Sequence, residues 1–228
     1  AGLEARLLAA HAWGMTPEAL VLYGEDVRET APFEALVARR LAAEPVAQIV
    51  GHKDFWKARF AVTCDVLTPR ADSETLLECL LRLRPQLNAA YRLLDLGTGS
   101  GCLLLSALME YPQATGVAVD QSVAALAVAT QNARQLGLLP HCNMLRSNWC
   151  GALEGTFDVV LANPPYIPTA QIATLDADVR LYEPHPALDG GADGLEDYRR
   201  IVQQIRSHLN DHAQIGRASC RERVFSSV

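Results

Sequence analysis

The chain has 228 residues, 50% of them hydrophobic and 20% charged, an ordinary globular profile far from that of a disordered chain. That length accommodates one α/β domain with a small accessory unit and is too short for two full enzymes. Lys and Arg number 20 against 26 Asp and Glu, a net charge of −6, whereas a domain that grips duplex DNA by its phosphates carries a basic excess. A direct nucleic-acid substrate is therefore not expected.

The six cysteines, Cys64, Cys79, Cys102, Cys142, Cys150 and Cys220, form no C-x-x-C pair, which predicts free thiols in a reducing compartment and no structural metal. His208 and His212 have helical spacing, but no Cys, Asp or Glu cluster completes a tetrahedral site. No apolar run approaches the roughly 18–20 residues of a membrane span. The N-terminus lacks the basic segment, apolar run and cleavage site of a signal peptide. A cytoplasmic protein without a membrane partner is expected. The chain opens on Ala1, so further residues are expected to precede it.

From Leu3 to about Ala43 apolar residues recur at helical spacing, broken at Thr16-Pro17 and Ala31-Pro32, which predicts short helices with Thr16 as an N-cap. Val46 to Val66 mixes β-branched and aromatic residues around Gly51-His52-Lys53-Asp54, the composition of a β-hairpin. Asp72 is placed to cap a helix through Leu83, with Glu74 favouring its positive end. Strands are then predicted at Arg92–Leu96, Gly116–Val119, Asn143–Arg146 and Phe157–Ala162, with helices from about Gly101 and over Val123–Leu136. This alternation predicts a parallel sheet with crossover helices. The last fourteen residues, Ile215-Gly-Arg-Ala-Ser-Cys-Arg-Glu-Arg-Val224 and onward to Val228, turn polar and arginine-rich where another buried strand is due. They resemble the translation of a widely used sequencing adapter. They are read as a non-native tail, with the natural chain continuing beyond Gln214.

Leu93-Leu94-Asp95-Leu96-Gly97-Thr98-Gly99-Ser100-Gly101 runs a strand into a glycine-rich turn that opens a helix, so a ligand can lie against the backbone there. Asp120 ends the next strand 23 residues after Gly97, close to the offset at which a carboxylate accepts from ribose hydroxyls. Cys102 stands where a dinucleotide fingerprint needs glycine, which weakens an NAD-dependent reading. Asn163-Pro164-Pro165-Tyr166 follows an apolar strand. Two prolines fix φ and remove two donors, leaving a rigid platform of acceptors. Acceptors from the Asn163 side chain and the Pro164 backbone would hold both N–H bonds of an amide or exocyclic amine and restore lone-pair character to its nitrogen. Orientation then matters more than a base, and Tyr166 would pack its ring on the planar target group.

With these elements in place, the chain resembles the protein-(glutamine-N5) methyltransferases that modify peptide-chain release factors. The resemblance runs from Leu3 to about Leu209. It includes Pro45-Val46-Ala47-Gln48-Ile49-Val50-Gly51, Phe55-Trp56, Thr68-Pro69-Arg70-Ala71-Asp72-Ser73-Glu74, Tyr182-Glu183-Pro184 and Ala187-Leu188-Asp189-Gly190-Gly191. It implies a Rossmann-like S-adenosylmethionine-dependent methyltransferase sheet with a small N-terminal helical domain and a linking β-hairpin. The implied divisions are 1–44 for helical substrate docking, 45–70 for the hairpin, 71–214 for a methyltransferase domain lacking its last strands, and 215–228 for the tail. By the same resemblance, Gly97, Thr98, Gly99, Ser100 and Gly101 line the cofactor's methionine and ribose portions. Asp120 binds the ribose, Trp149 flanks the adenine, and Asn163 touches both cofactor and substrate. Asn148 stands where relatives often carry Asp, leaving its carbonyl as the acceptor there. Arg70 is open between an acidic neighbour, the cofactor carboxylate and a plain surface salt bridge.

The implied reaction is transfer of a methyl group from S-adenosylmethionine to a release-factor glutamine amide nitrogen. A ribosomal-protein glutamine methyltransferase and an adenine-N6 DNA methyltransferase are the alternatives, since Asn-Pro-Pro-Tyr alone is shared with the latter. A non-catalytic binding module is the alternative of a different class.

Overall fold

The computed structural model describes residues 2–23, 29–217 and 224–227. Its N-terminal part is four helices, α1 (Gly2–Ala12), α2 (Pro17–Tyr23), α3 (Ala31–Leu41) and α4 (Val46–Val50). Thr16 caps α2 as its sequence predicts, Oγ1 accepting from Ala19 N at 3.1 Å. Leu8, Ala9 and Ala10 of α1 are buried, and the Trp13 and Phe33 rings, 5.8 Å apart, pack α1 on α3.

The expected hairpin is shorter than its composition suggests. Residues 46–50 are helical, with extended Pro45 before them and left-handed Gly51, φ 79°, after them. Proline at a helix start and glycine past its end outweigh the β-branched composition of a five-residue segment. The hairpin proper is β1 (His52–Phe55) against β2 (Ala58–Ala61), antiparallel, turning at Trp56 and Lys57 rather than at residues 51–54. Trp56 takes φ 55° there. Its backbone N–H donates to Glu74 Oε1 at 2.8 Å and its indole to Glu110 Oε1 at 2.7 Å. Phe55 and Phe60 meet edge-on at 6.1 Å and are fully buried among leucines of the main domain, so the hairpin shares that domain's core.

Helix α5 (Glu74–Leu83) begins after one 3-10 turn over Ala71–Ser73, without a side-chain cap at Ser73. Asp72 is thus one residue too early for its expected role, and the carboxylate of Glu74 serves the Trp56 turn instead. The remaining elements are β3 (Arg92–Leu96), α6 (Cys102–Glu110), β4 (Thr115–Asp120), α7 (Val123–Gln135), β5 (Cys142–Arg146), β6 (Phe157–Ala162), α8 (Ala177–Tyr182), α9 (Glu196–Ile205), β7 (Leu209–Arg217) and β8 (Val224–Ser227). The sheet order is β5-β4-β3-β6-β7-β8, parallel throughout except for the β7–β8 pair. The chain changes direction across the sheet between β3 and β6, the switch point at which open α/β sheets bind ligands.

Residues 215–217 pair with Val160, Leu161 and Ala162, and 224–227 pair with 214–217, so segments set apart in sequence as a tail join the sheet. Cys220 lies outside the described residues. His208 sits in a 3-10 turn and His212 on β7 at φ 62°, so their spacing is not that of a common helix face.

Asn132, fully buried on α7, ties three parts together. Its Oδ1 accepts from Ala61 N at 2.7 Å, and its Nδ2 donates to Ala61 O at 3.2 Å and Ser100 O at 2.8 Å. Hairpin and glycine-rich turn thereby share one buried amide. Asn132→Ala is expected to cost about 2–4 kcal/mol, because Ala61 N–H and Ser100 C=O lose their partner. The urea midpoint of unfolding measures it; a change below about 0.5 kcal/mol would mean that the hairpin is held by its apolar contacts alone.

Candidate active site

The carboxyl ends of β3, β4, β5 and β6 open onto one cavity of about 480 Å³, within the usual range of small-molecule sites. Gly97 and Gly99 turn the chain out of β3 at φ 72° and 54°, conformations costly for other residues. The N–H groups of Gly97 and Thr98 both donate to Val119 O at 2.9 Å. Asp120 braces the turn from β4: Oδ2 accepts from Gly99 N at 3.0 Å and Oδ1 from Ser122 N at 2.9 Å. Each oxygen retains a lone pair for a ligand hydroxyl.

Gly97, Thr98, Gly99, Ser100, Asp120, Trp149, Asn163 and Pro165 all line this cavity, whereas Gly101, Pro164 and Tyr166 do not. Gly101 lies behind the turn, where a Cβ would stand 3.1 Å from Leu105 and 3.3 Å from Ala129. Its role is to let α6 approach α7. Pro164 is buried beneath its neighbours and Tyr166 is half-buried. Asn148 is exposed at the cavity edge. The thiol of Cys102, also in the wall, is pushed up to about 12 by burial, which leaves it protonated and unreactive.

Asp95 is a functional candidate that the motif reading did not single out. It is 1% exposed and accepts from Thr98 Oγ1 at 2.7 Å, while its Oδ1 has no close partner among the described residues. Burial, with the Asp120 charge adding to it, raises its pKa to about 7. An acid inside the apolar run Leu93-Leu94-Asp95-Leu96 was the available signal. Ser100, 2% exposed, likewise leaves its Oγ without a partner.

A second loop holds the platform after β6 in place. Ile167 N donates to Leu188 O at 3.1 Å, Gly190 N to Ile167 O at 2.9 Å and Thr169 N to Gly191 O at 3.0 Å. Asp189 Oδ1 accepts from Thr169 Oγ1 at 2.7 Å and Gly191 N at 3.0 Å. A Cβ on Gly190 would stand 2.8 Å from Pro165 O, and one on Gly194, at φ 76°, would collide with Tyr166 O.

The opposite wall is anchored by Glu183, whose side chain is 1% exposed. It accepts from Thr68 N and from Arg70 Nη2, both at 3.0 Å. Burial raises its pKa, opposed by Thr68 and Arg70. Arg70 thus pairs with an acidic neighbour, as one of its readings held. Next to Glu183, Tyr182 O accepts from Gln48 Nε2 at 3.1 Å and Tyr182 OH donates to Ala42 O at 2.9 Å, which fastens the N-terminal helices to the cavity wall.

The sheet order and the cavity at its switch point define a Rossmann-like fold of the methyltransferase type. The model of the Methyltransferase small domain family matches residues 71–180, and that of the PrmC N-terminal domain matches residues 1–51. The chain belongs to the release factor glutamine methyltransferase family. It is 44% identical to the relative of that name from Rhodospirillum rubrum over 90% of this chain and 64% of that protein. It is 44% identical to the Cereibacter sphaeroides relative (92% and 74%) and 42% identical to the Caulobacter vibrioides one (89% and 71%). The chain thus spans slightly under two thirds of the first relative's length. Among solved structures, the catalytic domain of hMettl16 in complex with a MAT2A 3'UTR hairpin aligns with TM-score 0.56 at 15% identity, over 69% of this chain and 60% of that one. That likeness is one of fold.

Two outcomes are expected. Relative to Asp95→Asn, the wild-type chain should lose stability as pH rises from about 4 to about 7. The folded carboxyl keeps its proton to about 7, while the unfolded one releases it near 3.8. A pH-independent difference in unfolding free energy would place Asp95 at an ordinary pKa. Gly137 also has positive φ, 71°, but open space around it, so Gly137→Ala should cost about 1–2 kcal/mol. Gly194→Ala should cost clearly more in the same denaturation experiment, and equal costs would mean that the Tyr166 carbonyl yields freely.

Proposed function

We propose that the chain transfers a methyl group from S-adenosylmethionine to the side-chain amide nitrogen (N5) of a glutamine in a peptide-chain release factor, acting in the cytoplasm. One observation carries this reading: the glycine-rich turn with Asp120, and Asn163 and Pro165 of the platform, face one cavity from adjacent strand ends. Names of relatives at 39–44% identity support the substrate class.

The residues present fit the cofactor. Backbone at Gly99 leaves room no side chain fills, the buried Ser100 Oγ lacks a protein partner among the described residues, and Asp120 offers free lone pairs to a diol. When bound, S-adenosylmethionine supplies an electrophilic methyl group. The chain supplies alignment. Asn163 Oδ1 holds one N–H bond of the target amide at the cavity wall, where Pro165 stands beside it, while Pro164 and Tyr166 lie outside that lining and support the platform from behind. Rigidity matters here, because a misplacement of about 1 Å costs on the order of a hundredfold in rate. The loop from Leu188 to Gly194 provides it.

The N-terminal helices are the docking surface for the protein substrate in this reading. Leu3, Val21, Leu22 and Leu41 are between 64% and 82% exposed there, and Tyr182 connects them to the cavity wall. Against an adenine in DNA stands the charge of the chain, −6, where a surface that grips a phosphate backbone carries a basic excess.

Labelled S-adenosylmethionine offered with release factor and with duplex DNA in parallel tests this. Label on a release-factor glutamine is expected; label on adenine would overturn the reading. Asn163→Ala should reduce turnover by about a hundredfold or more while binding of S-adenosylhomocysteine weakens only moderately. Retained turnover would rule out the platform mechanism.

A further inference from the structure

Trp149 forms part of the cavity wall in a constrained conformation. Its φ of 50° lies in the left-handed region, uncommon for a bulky residue. Its ring edge stands 3.4 Å from where a side chain on Gly97 would begin. An indole swings freely about its last torsion unless something fixes it. Here its Nε1–H donates to Asp197 Oδ1 at 3.0 Å, across from β5 to the first turn of α9. Asp197 is 13% exposed and also accepts from Arg200 Nη1 at 3.3 Å, and Arg200 in turn bonds Glu196 at 2.5 Å. Trp149, Asp197 and Arg200 all line the cavity.

We infer that Asp197 is a positioning residue for the proposed reaction. Its carboxylate fixes the Trp149 ring as the wall against which the flat base of the cofactor lies, and the contact with Arg200 Nη1 helps to aim that carboxylate. The bond is charge-assisted, about twice as strong as a neutral one. The placement carries a second consequence. The chain just before Asp197, from Leu188 to Gly194, clamps the Asn163-Pro164-Pro165-Tyr166 platform. One short connection therefore sets both the cofactor wall and the acceptor platform, and both come into position when α9 docks. The inference rests on the methyltransferase reading for the identity of the ligand; the Trp149–Asp197 contact stands without it.

Two measurements on the full chain test it. In the nitrogen-15-labelled protein, with the Trp149 indole resonance assigned by its loss in Trp149→Phe, exchange of that N–H with solvent should be slow. It should speed up at least about tenfold in Asp197→Ala and stay slow in Asp197→Asn, which retains an acceptor oxygen. By calorimetry, S-adenosylhomocysteine should bind about tenfold more weakly to Asp197→Ala. Asp197→Asn should recover most of the affinity, and Asp197→Ala should add no further loss in a Trp149→Phe background. Unchanged exchange in Asp197→Ala, or an equal loss of affinity in the Trp149→Phe background, would overturn the inference. Should Asp197→Ala not fold, Asp197→Thr serves as the truncation. A wild-type chain that binds no S-adenosylhomocysteine would defeat the cofactor reading, while the exchange measurement still decides the contact.

Discussion

Parallel pairing of β3 with β6, which ends with Leu96 opposite Ala162, is the constraint from which the site follows. Neighbouring strands lie about 4.8 Å apart, so Gly97 and Asn163 leave the sheet side by side and at one level. On its other edge β3 pairs in register with β4, Leu96 opposite Val119, which brings Asp120 to the same rim. A slip of one residue in either pairing would turn the strand faces over and separate the turn from the platform. Within the run Leu93–Leu96, almost fully buried, the one acid, Asp95, makes such a slip costly, because it would lose Thr98 as its partner.

The turns at these strand ends are conformationally demanding, and each is held by a partner distant in sequence. Asp120 and Asn132 hold the glycine-rich turn through Gly99 N and Ser100 O. The Leu188–Gly194 loop holds the platform, and Asp197 holds Trp149. The hairpin, itself turned at a left-handed Trp56, is held by Glu74 and Glu110. Buried polar groups of this kind add little net stability when satisfied and cost much when one partner is removed. They serve to fix one arrangement among several that apolar packing alone would allow.

Two buried acids flank the cavity and are treated differently. Glu183 has Thr68 N–H and Arg70 as partners, whereas Asp95 faces no cation of this kind: Thr98 donates to one oxygen, and Oδ1 lacks a close partner among the described residues. The first ties the segment after the hairpin to the chain that follows α8. The second leaves a protonatable group directly behind the glycine-rich turn.

Much of this protein was legible in its sequence. Apolar runs four to six residues long alternating with helical spacing dictate a parallel sheet, and the predicted strand Arg92–Leu96 coincides with β3. Glycines at 97 and 99 and the double proline mark the turns at the strand ends through backbone properties that belong to the residues themselves. Local signals faltered where tertiary partners compete for a group. Glu74 serves the Trp56 turn, and Pro45 with Gly51 makes a helix of a segment rich in β-branched residues. Only the tertiary structure could decide that Asp95 is buried with an oxygen unpaired, that Glu183 reaches Arg70 across 113 positions, and that Asp197 meets Trp149. Each of those depends on how helices and loops close over the strand ends, and no spacing along the chain encodes a contact between side chains brought together by the packing of separate elements.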